Sequence, residues 1–219
     1  MGSLTTRITN RFVGAYDENS ASVGFRARRW TDFASTFPDL SEYVVLDLGG
    51  DARSWRLSGL RPKEVVLLNT FAQEPQEPWM RALEGDGCDL PAGLPEVDLV
   101  FSNSVIEHVG GHWRRERFAS NVRQLAARHW VQTPYRYFPI EPHYLIPFAQ
   151  QLPLPLRTRL IKAWPVGHFR EHDDFAELLS AVMQHELLTR AEMRHYFPGS
   201  ELRHERFAGL TKSLIAVAT

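Results

Sequence analysis

The chain holds one cysteine, Cys88, a formal net charge of only −1, and no run approaching the roughly 18 apolar residues that a membrane-crossing helix needs. Each scarcity excludes something. A lone cysteine forms no intrachain disulfide and cannot build a zinc site made mainly of thiolates. Without a long apolar run there is no membrane span, and Met1–Arg7 lacks the apolar core of a signal peptide, so the expectation is a cytoplasmic protein. A near-zero charge gives no global basic field to hold a nucleic-acid backbone, so bulk RNA or DNA is not an expected partner. The short basic clusters Arg26–Ala27–Arg28–Arg29–Trp30 and Arg114–Arg115–Glu116–Arg117 read as solvated helix faces. Internal repeats and low-complexity segments are also missing.

The rest is ordinary globular material. A 43% hydrophobic and 23% charged composition can bury a core, and 219 residues fit one large domain, or one with a small lid. Residues 1–20 read as a polar arm, and 21–37 as a helix stopped by Pro38. Short apolar runs then recur: Tyr43–Leu48, Val65–Asn69, a strand ending near Leu83–Glu84, Val97–Phe101 and His129–Thr133. Helical or loop segments separate them, including Trp55–Leu60 and Trp113–Ala127. That alternation predicts an open parallel sheet with helices on its faces. From Pro134 to Pro155 aromatics and prolines crowd together, as in a structured excursion over one sheet edge. Segments 156–163 and 172–196 read as helical, and the chain closes with two strands around Gly209 in an antiparallel hairpin. The expected organisation is an arm and helix over 1–40 and one domain over 41–219, with a covering insertion at about 134–200.

Ligands of such sheets bind beyond the carboxyl ends of the strands, near the point where strand order reverses. The residues there are Asp47, Gly49, Gly50 and Asp51 after the first strand, Asn69 after the second, and Asp86 and Gly87 after the third. Ser102, Asn103, Glu107 and His108 follow the fourth, and the segment Thr133–His143 follows the fifth. Val45–Leu46–Asp47–Leu48–Gly49–Gly50, Gly85–Asp86–Gly87–Cys88–Asp89–Leu90–Pro91 and Asp98–Leu99–Val100–Phe101–Ser102–Asn103–Ser104–Val105–Ile106–Glu107–His108 resemble the motifs of class I S-adenosylmethionine (SAM)-dependent methyltransferases. So do Thr133–Pro134–Tyr135–Arg136–Tyr137–Phe138–Pro139–Ile140–Glu141–Pro142–His143 and the closing Glu205–Ser213, which are similar to small bacterial enzymes of the methyltransferase type 11/23 kind.

The resemblance implies a Rossmann-like, seven-stranded, mostly parallel sheet and SAM as cofactor. It implies Gly49 and Gly50 against the methionine end, Asp47 on its ammonium group, Asn69 facing the ribose, Asp86 and Gly87 reading adenine, and Ser102 and Asn103 beside the sulfonium. Two departures stand out: Asp51–Ala52–Arg53 replaces the usual third glycine, and a neutral Asn69 replaces the ribose-binding acid. For an acceptor hydroxyl, His143 or His108 could serve as general base, with Tyr135, Arg136, Tyr137, Glu141 and His143 lining the acceptor. No metal is expected, since Glu141 and His143 lack an obvious third ligand. The predicted activity is methyl transfer to a small or medium polar acceptor, such as a glycan, a glycolipid precursor or a secondary metabolite. The alternative is a methyltransferase-like binding or scaffold module.

Overall fold

The structure, a computed structural model, describes residues 21–140, 146–163 and 174–219. The expected arm, Glu141, His143 and the segment 168–173 lie outside the described residues. The elements in order are α1 (Ala21–Thr36), β1 (Val44–Leu48), α2 (Ala52–Ser58), β2 (Glu64–Asn69), β3 (Met80–Glu84), β4 (Leu99–Asn103), α3 (His112–Leu125) and β5 (Arg128–Pro134). Then come α4 (Leu154–Ala163), α5 (Phe175–Gln184), α6 (Arg190–Tyr196), β6 (Glu201–Phe207) and β7 (Leu210–Ala218).

The seven strands form one sheet in the order β3-β2-β1-β4-β5-β7-β6. The first five strands are mutually parallel, and β7 runs antiparallel between β5 and β6, closing the predicted hairpin. Chain order reverses between β1 and β4, which places the ligand crevice there.

Strand alternation sends successive side chains to opposite faces, and both faces are covered. Leu46, Leu48, Val66, Leu68, Val100 and Val131 pack under α3 and α6 against Phe118, Val122, Met193 and Tyr196. Val45, Leu67, Leu99, Phe101, Trp130 and Ile215 face the other way, onto Phe33 and Phe37 at the end of α1 and Trp55 of α2. Phe33 touches Trp55, Phe101 and Trp130 edge to face, with ring centroids 4.9–6.2 Å apart. A smaller third core joins Ile146, Ala149, Ile161, Leu178 and Val182 between β5 and β6.

Among the differences from expectation, two bear on the site. Strand β4 begins two residues later than Val97, because Asp98 closes the strand's base with Val44: each backbone N–H is accepted by the other residue, at 2.9 Å and 2.8 Å. Ser102 and Asn103 therefore remain on the strand, registered against Val131 and Gln132. The helix expected over 172–196 is two helices. Thr189 starts the second through a capping box in which its hydroxyl accepts from the Glu192 amide and the Glu192 carboxylate accepts from the Thr189 amide. Among the described residues no helix is long and apolar enough to cross a membrane.

Candidate active site

The loop from β1 into α2 is set by three local devices. Gly49 takes φ 81°, a left-handed conformation that suits glycine, and its amide donates to the Leu68 carbonyl at 2.7 Å. Asp51 then caps α2, accepting from the Ser54 amide and hydroxyl at 2.8 Å each. Gly59, in the left-handed region at φ 70°, ends the helix after two turns, which explains the short crossover.

Side chains find no room at Gly49 and Gly50. A Cβ on Gly49 would come within 2.5 Å of Val105, in the loop that leaves β4, and one on Gly50 would overlap the Asp47 carboxylate. Asp47 is 2% exposed. Its Oδ2 accepts from Trp55 Nε1 at 2.7 Å, while Oδ1 is buried with no hydrogen-bond partner among the described residues. Burial pushes its pKa up to about 7, reinforced by the nearby Asp51 charge and opposed by the Trp55 hydrogen bond.

Asn69, the last residue of β2, donates to the Gly50 carbonyl at 3.0 Å and accepts from the Thr70 amide. Gln73 donates to the same Gly50 carbonyl at 2.9 Å. The turn is thus held from two sides. Nothing in the apolar pattern singled out Gln73, which stood in a loop marked only by its prolines.

Asp86 follows β3 and is bound on both oxygens, by the Cys88 amide at 2.8 Å and by Arg114 at 2.5 Å. Burial alone would raise its pKa, but the Cys88 amide and the Arg114 guanidinium hold the carboxyl below its usual range. Gly87 lies flat against Phe118, and its carbonyl accepts from Asn121 at 2.9 Å.

On β4, Ser102 is fully buried and donates to the Leu48 carbonyl at 3.1 Å, pinning β4 to β1 across the switch point. Asn103 accepts from Arg29 at 2.5 Å. The same guanidinium reaches Gln132 at 3.1 Å and pairs with Glu205 at 2.8 Å, with side chains only 11% and 12% exposed. This corrects the reading of 26–30 as a solvated face: Arg29 of α1 is anchored over the carboxyl ends of β4 and β5. Arg115, in the second basic cluster, is likewise buried and bound to Glu186 at 2.7 Å. Composition alone did not separate one inward arginine from its exposed neighbours.

The remaining candidates gather on the other face of the same edge. Glu107 is buried and accepts from Thr133 of β5 at 2.9 Å. His108 is exposed, stands 3.9 Å from Glu107 Oε1, and meets His185 ring edge to face at 4.6 Å. Tyr135 packs on Tyr137 and under the Arg190 guanidinium, 5.1 Å above its ring, while Tyr137 itself is 55% exposed. The Arg136 amide donates to the Leu188 carbonyl, joining the segment after β5 to the turn before α6. Between these segments lies a cavity of about 350 Å³, lined by Arg136, Gln150, Arg157, His185 and Glu186 with apolar neighbours. It adjoins the Glu107–His108 loop and is separate from the glycine loop.

No family profile and no curated protein matches the chain. Solved structures do match. The magnesium protoporphyrin IX methyltransferase of Synechocystis is 13% identical, with a TM-score of 0.53 over 98% of this chain and 99% of that one. The 1,6-didemethyltoxoflavin-N1-methyltransferase of Burkholderia thailandensis is 12% identical, with a TM-score of 0.52 over 100% and 91%. A Rhodobacter sphaeroides protein described as a zinc-dependent alcohol dehydrogenase is also 12% identical, with a TM-score of 0.53 over 87% of each chain. At such identities the likeness establishes the fold alone, a seven-stranded, mostly parallel sheet with a terminal antiparallel hairpin, and leaves the chemistry to the site.

Proposed function

We propose that this chain is a SAM-dependent methyltransferase acting on a small or medium-sized polar acceptor, with oxygen the favoured atom. A glycan, glycolipid precursor or secondary metabolite fits that description. The observation that carries the reading is the β1 turn. A buried carboxylate keeps one oxygen without a hydrogen-bond partner among the described residues, beside two glycines whose Cβ positions are already filled by Asp47 and Val105. An ammonium group satisfies such an oxygen.

Asp47 would hold the ammonium end and Asn69 the ribose, its amide keeping one N–H and one lone pair beyond the Gly50 and Thr70 bonds. Asp86, ionised and with spare lone pairs, would accept from the adenine amino group beside Gly87. Ser102 contributes by fixing β4 against β1, and Asn103 borders the reacting side. When bound, SAM supplies a methyl group on a good leaving group, so the protein's task is alignment and proton removal. His108, 3.9 Å from the Glu107 carboxylate, would take the hydroxyl proton. His143 is the competing base, and Tyr135, Arg136, Tyr137 and Glu141 are the acceptor wall. The insertion over 134–200 would cover that acceptor.

One observation favours a non-catalytic binding module instead: a guanidinium, Arg29, is bonded to Asn103 on the side proposed for the sulfonium. Glu205 compensates its charge, which keeps the enzyme reading first. Methyl transfer from labelled SAM to a panel of hydroxylated acceptors separates the two. His108→Ala is expected to lower turnover by about 100-fold or more with S-adenosylhomocysteine affinity unchanged. Unchanged turnover would move the base role to His143.

A further inference from the structure

The cavity beside the His108 loop has a donor set of its own. Arg136 enters from the segment after β5, Gln150 and Arg157 from the turn and helix of the third core, and His185 and Glu186 from the turn before α6. Gln150 is 4% exposed, and its amide orientation is fixed because Nε2 donates to the Arg136 and Phe138 carbonyls, at 3.1 Å and 2.6 Å. An amide oxygen in that position would face two acceptors, so Oε1 must be the other end. That oxygen is buried with no hydrogen-bond partner among the described residues, and so is Nε of Arg157. Both atoms belong to residues that line the cavity, and neither has a hydrogen-bond partner among the described residues. Buried polar groups in folded proteins are rarely left this way.

Charge points in one direction. The only carboxylate among the described lining residues, Glu186, is already bound by Arg115 at 2.7 Å. His185 directs Nδ1 at the Ala181 carbonyl at 2.7 Å, as a donor. Two permanently charged guanidiniums therefore dominate the cavity, with Leu152, Pro153, Leu154 and Leu187 as its apolar wall. Arginine forks match carboxylate and phosphate oxygens, and the Gln150 oxygen requires a donor such as a hydroxyl.

The geometry points to an acceptor that is a hydroxylated acid: a carboxylate or phosphate held by Arg157 and Arg136, with a neighbouring hydroxyl donating to Gln150 Oε1. About 350 Å³ suits one sugar-sized unit. That the ligand is the methyl acceptor rests on the methyltransferase reading; that the cavity binds a hydroxylated acid does not.

The test is a ligand-observed NMR titration of the full chain with glucuronate, glucose 6-phosphate and, as the uncharged match, glucose. At least one acid should bind about tenfold or more tightly than glucose, and Arg157→Met should abolish that preference. Its thermal midpoint and S-adenosylhomocysteine affinity should remain those of the parent, which separates a lost contact from lost folding. Preference for glucuronate assigns a carboxylate, and preference for the sugar phosphate assigns a phosphate. Glucose binding as tightly as both acids, or Arg157→Met keeping the full preference, overturns the inference. Acid binding with no S-adenosylhomocysteine binding would keep the cavity assignment and sink the methyltransferase reading.

Discussion

At Asp47 and His129, burial acts on groups of opposite charge type, and the two effects oppose each other in pH. Burial raises the Asp47 pKa from 3.8 to about 7, so between those values the native protein holds a proton that the unfolded chain has released. Its contribution is fully present below about 4 and is lost as pH rises through 7. Burial, helped by the Arg123 charge, lowers His129 from 6.5 to about 4. There the unfolded chain holds the extra proton, and stability is lost as pH falls through the same window. From about pH 4 to 6.5 the two slopes cancel in the parent protein. Asp47→Asn should unmask the histidine, so that unfolding free energy climbs with pH by up to about 1.4 kcal/mol per unit. Urea denaturation of parent and variant at three pH values reads this directly; parallel curves would show that Asp47 is ionised throughout. A ligand ammonium at Oδ1 favours the ionised carboxylate, so binding near neutral pH should release a proton, visible as a buffer-dependent heat.

Helix α1 is the element whose role was least legible. Its helical spacing was plain, and so was the stop at Pro38. That Phe33 and Phe37 fill the core over Trp55, Phe101 and Trp130, with Arg29 reaching Asn103, Gln132 and Glu205, depends on contacts far apart in sequence, at least 74 residues for those of Arg29. Arg29→Ala leaves the largely shielded Glu205 with only Ser213 and the Lys212 charge and should destabilise by about 3 kcal/mol, near 10 °C in midpoint. Adding Glu205→Gln should recover part of that loss, and a double-mutant cycle without coupling would mean that the pair is not held in solution. The strands were easier, because runs buried on both faces need no partner to be recognised. Boundaries slipped at β4 for a reason composition hides: Asp98 closes the strand base through hydrogen bonds to Val44.

Across the whole molecule, the parallel strands and the terminal hairpin followed from the spacing of apolar runs, whereas the seven-stranded count came from the resemblance and the strand order from neither. Contacts of the polar residues were less accessible. Asn69 and Gln73 converge on one carbonyl, and Asp86 on Arg114, because the sheet brings separate loops to one edge. The cavity beside the His108 loop combines residues spread from Arg136 to Leu187, so that no local motif contains it. The central claim is that the Asp47–Gly50 turn holds SAM. Calorimetric titration of the protein with S-adenosylhomocysteine tests it most directly, alongside Gly50→Ala, whose added methyl displaces the Asp47 carboxylate. One-to-one binding by the parent, weakened at least about tenfold in a folded Gly50→Ala, is the expected result. A folded parent that binds none, or a Gly50→Ala variant that binds equally well, would contradict it.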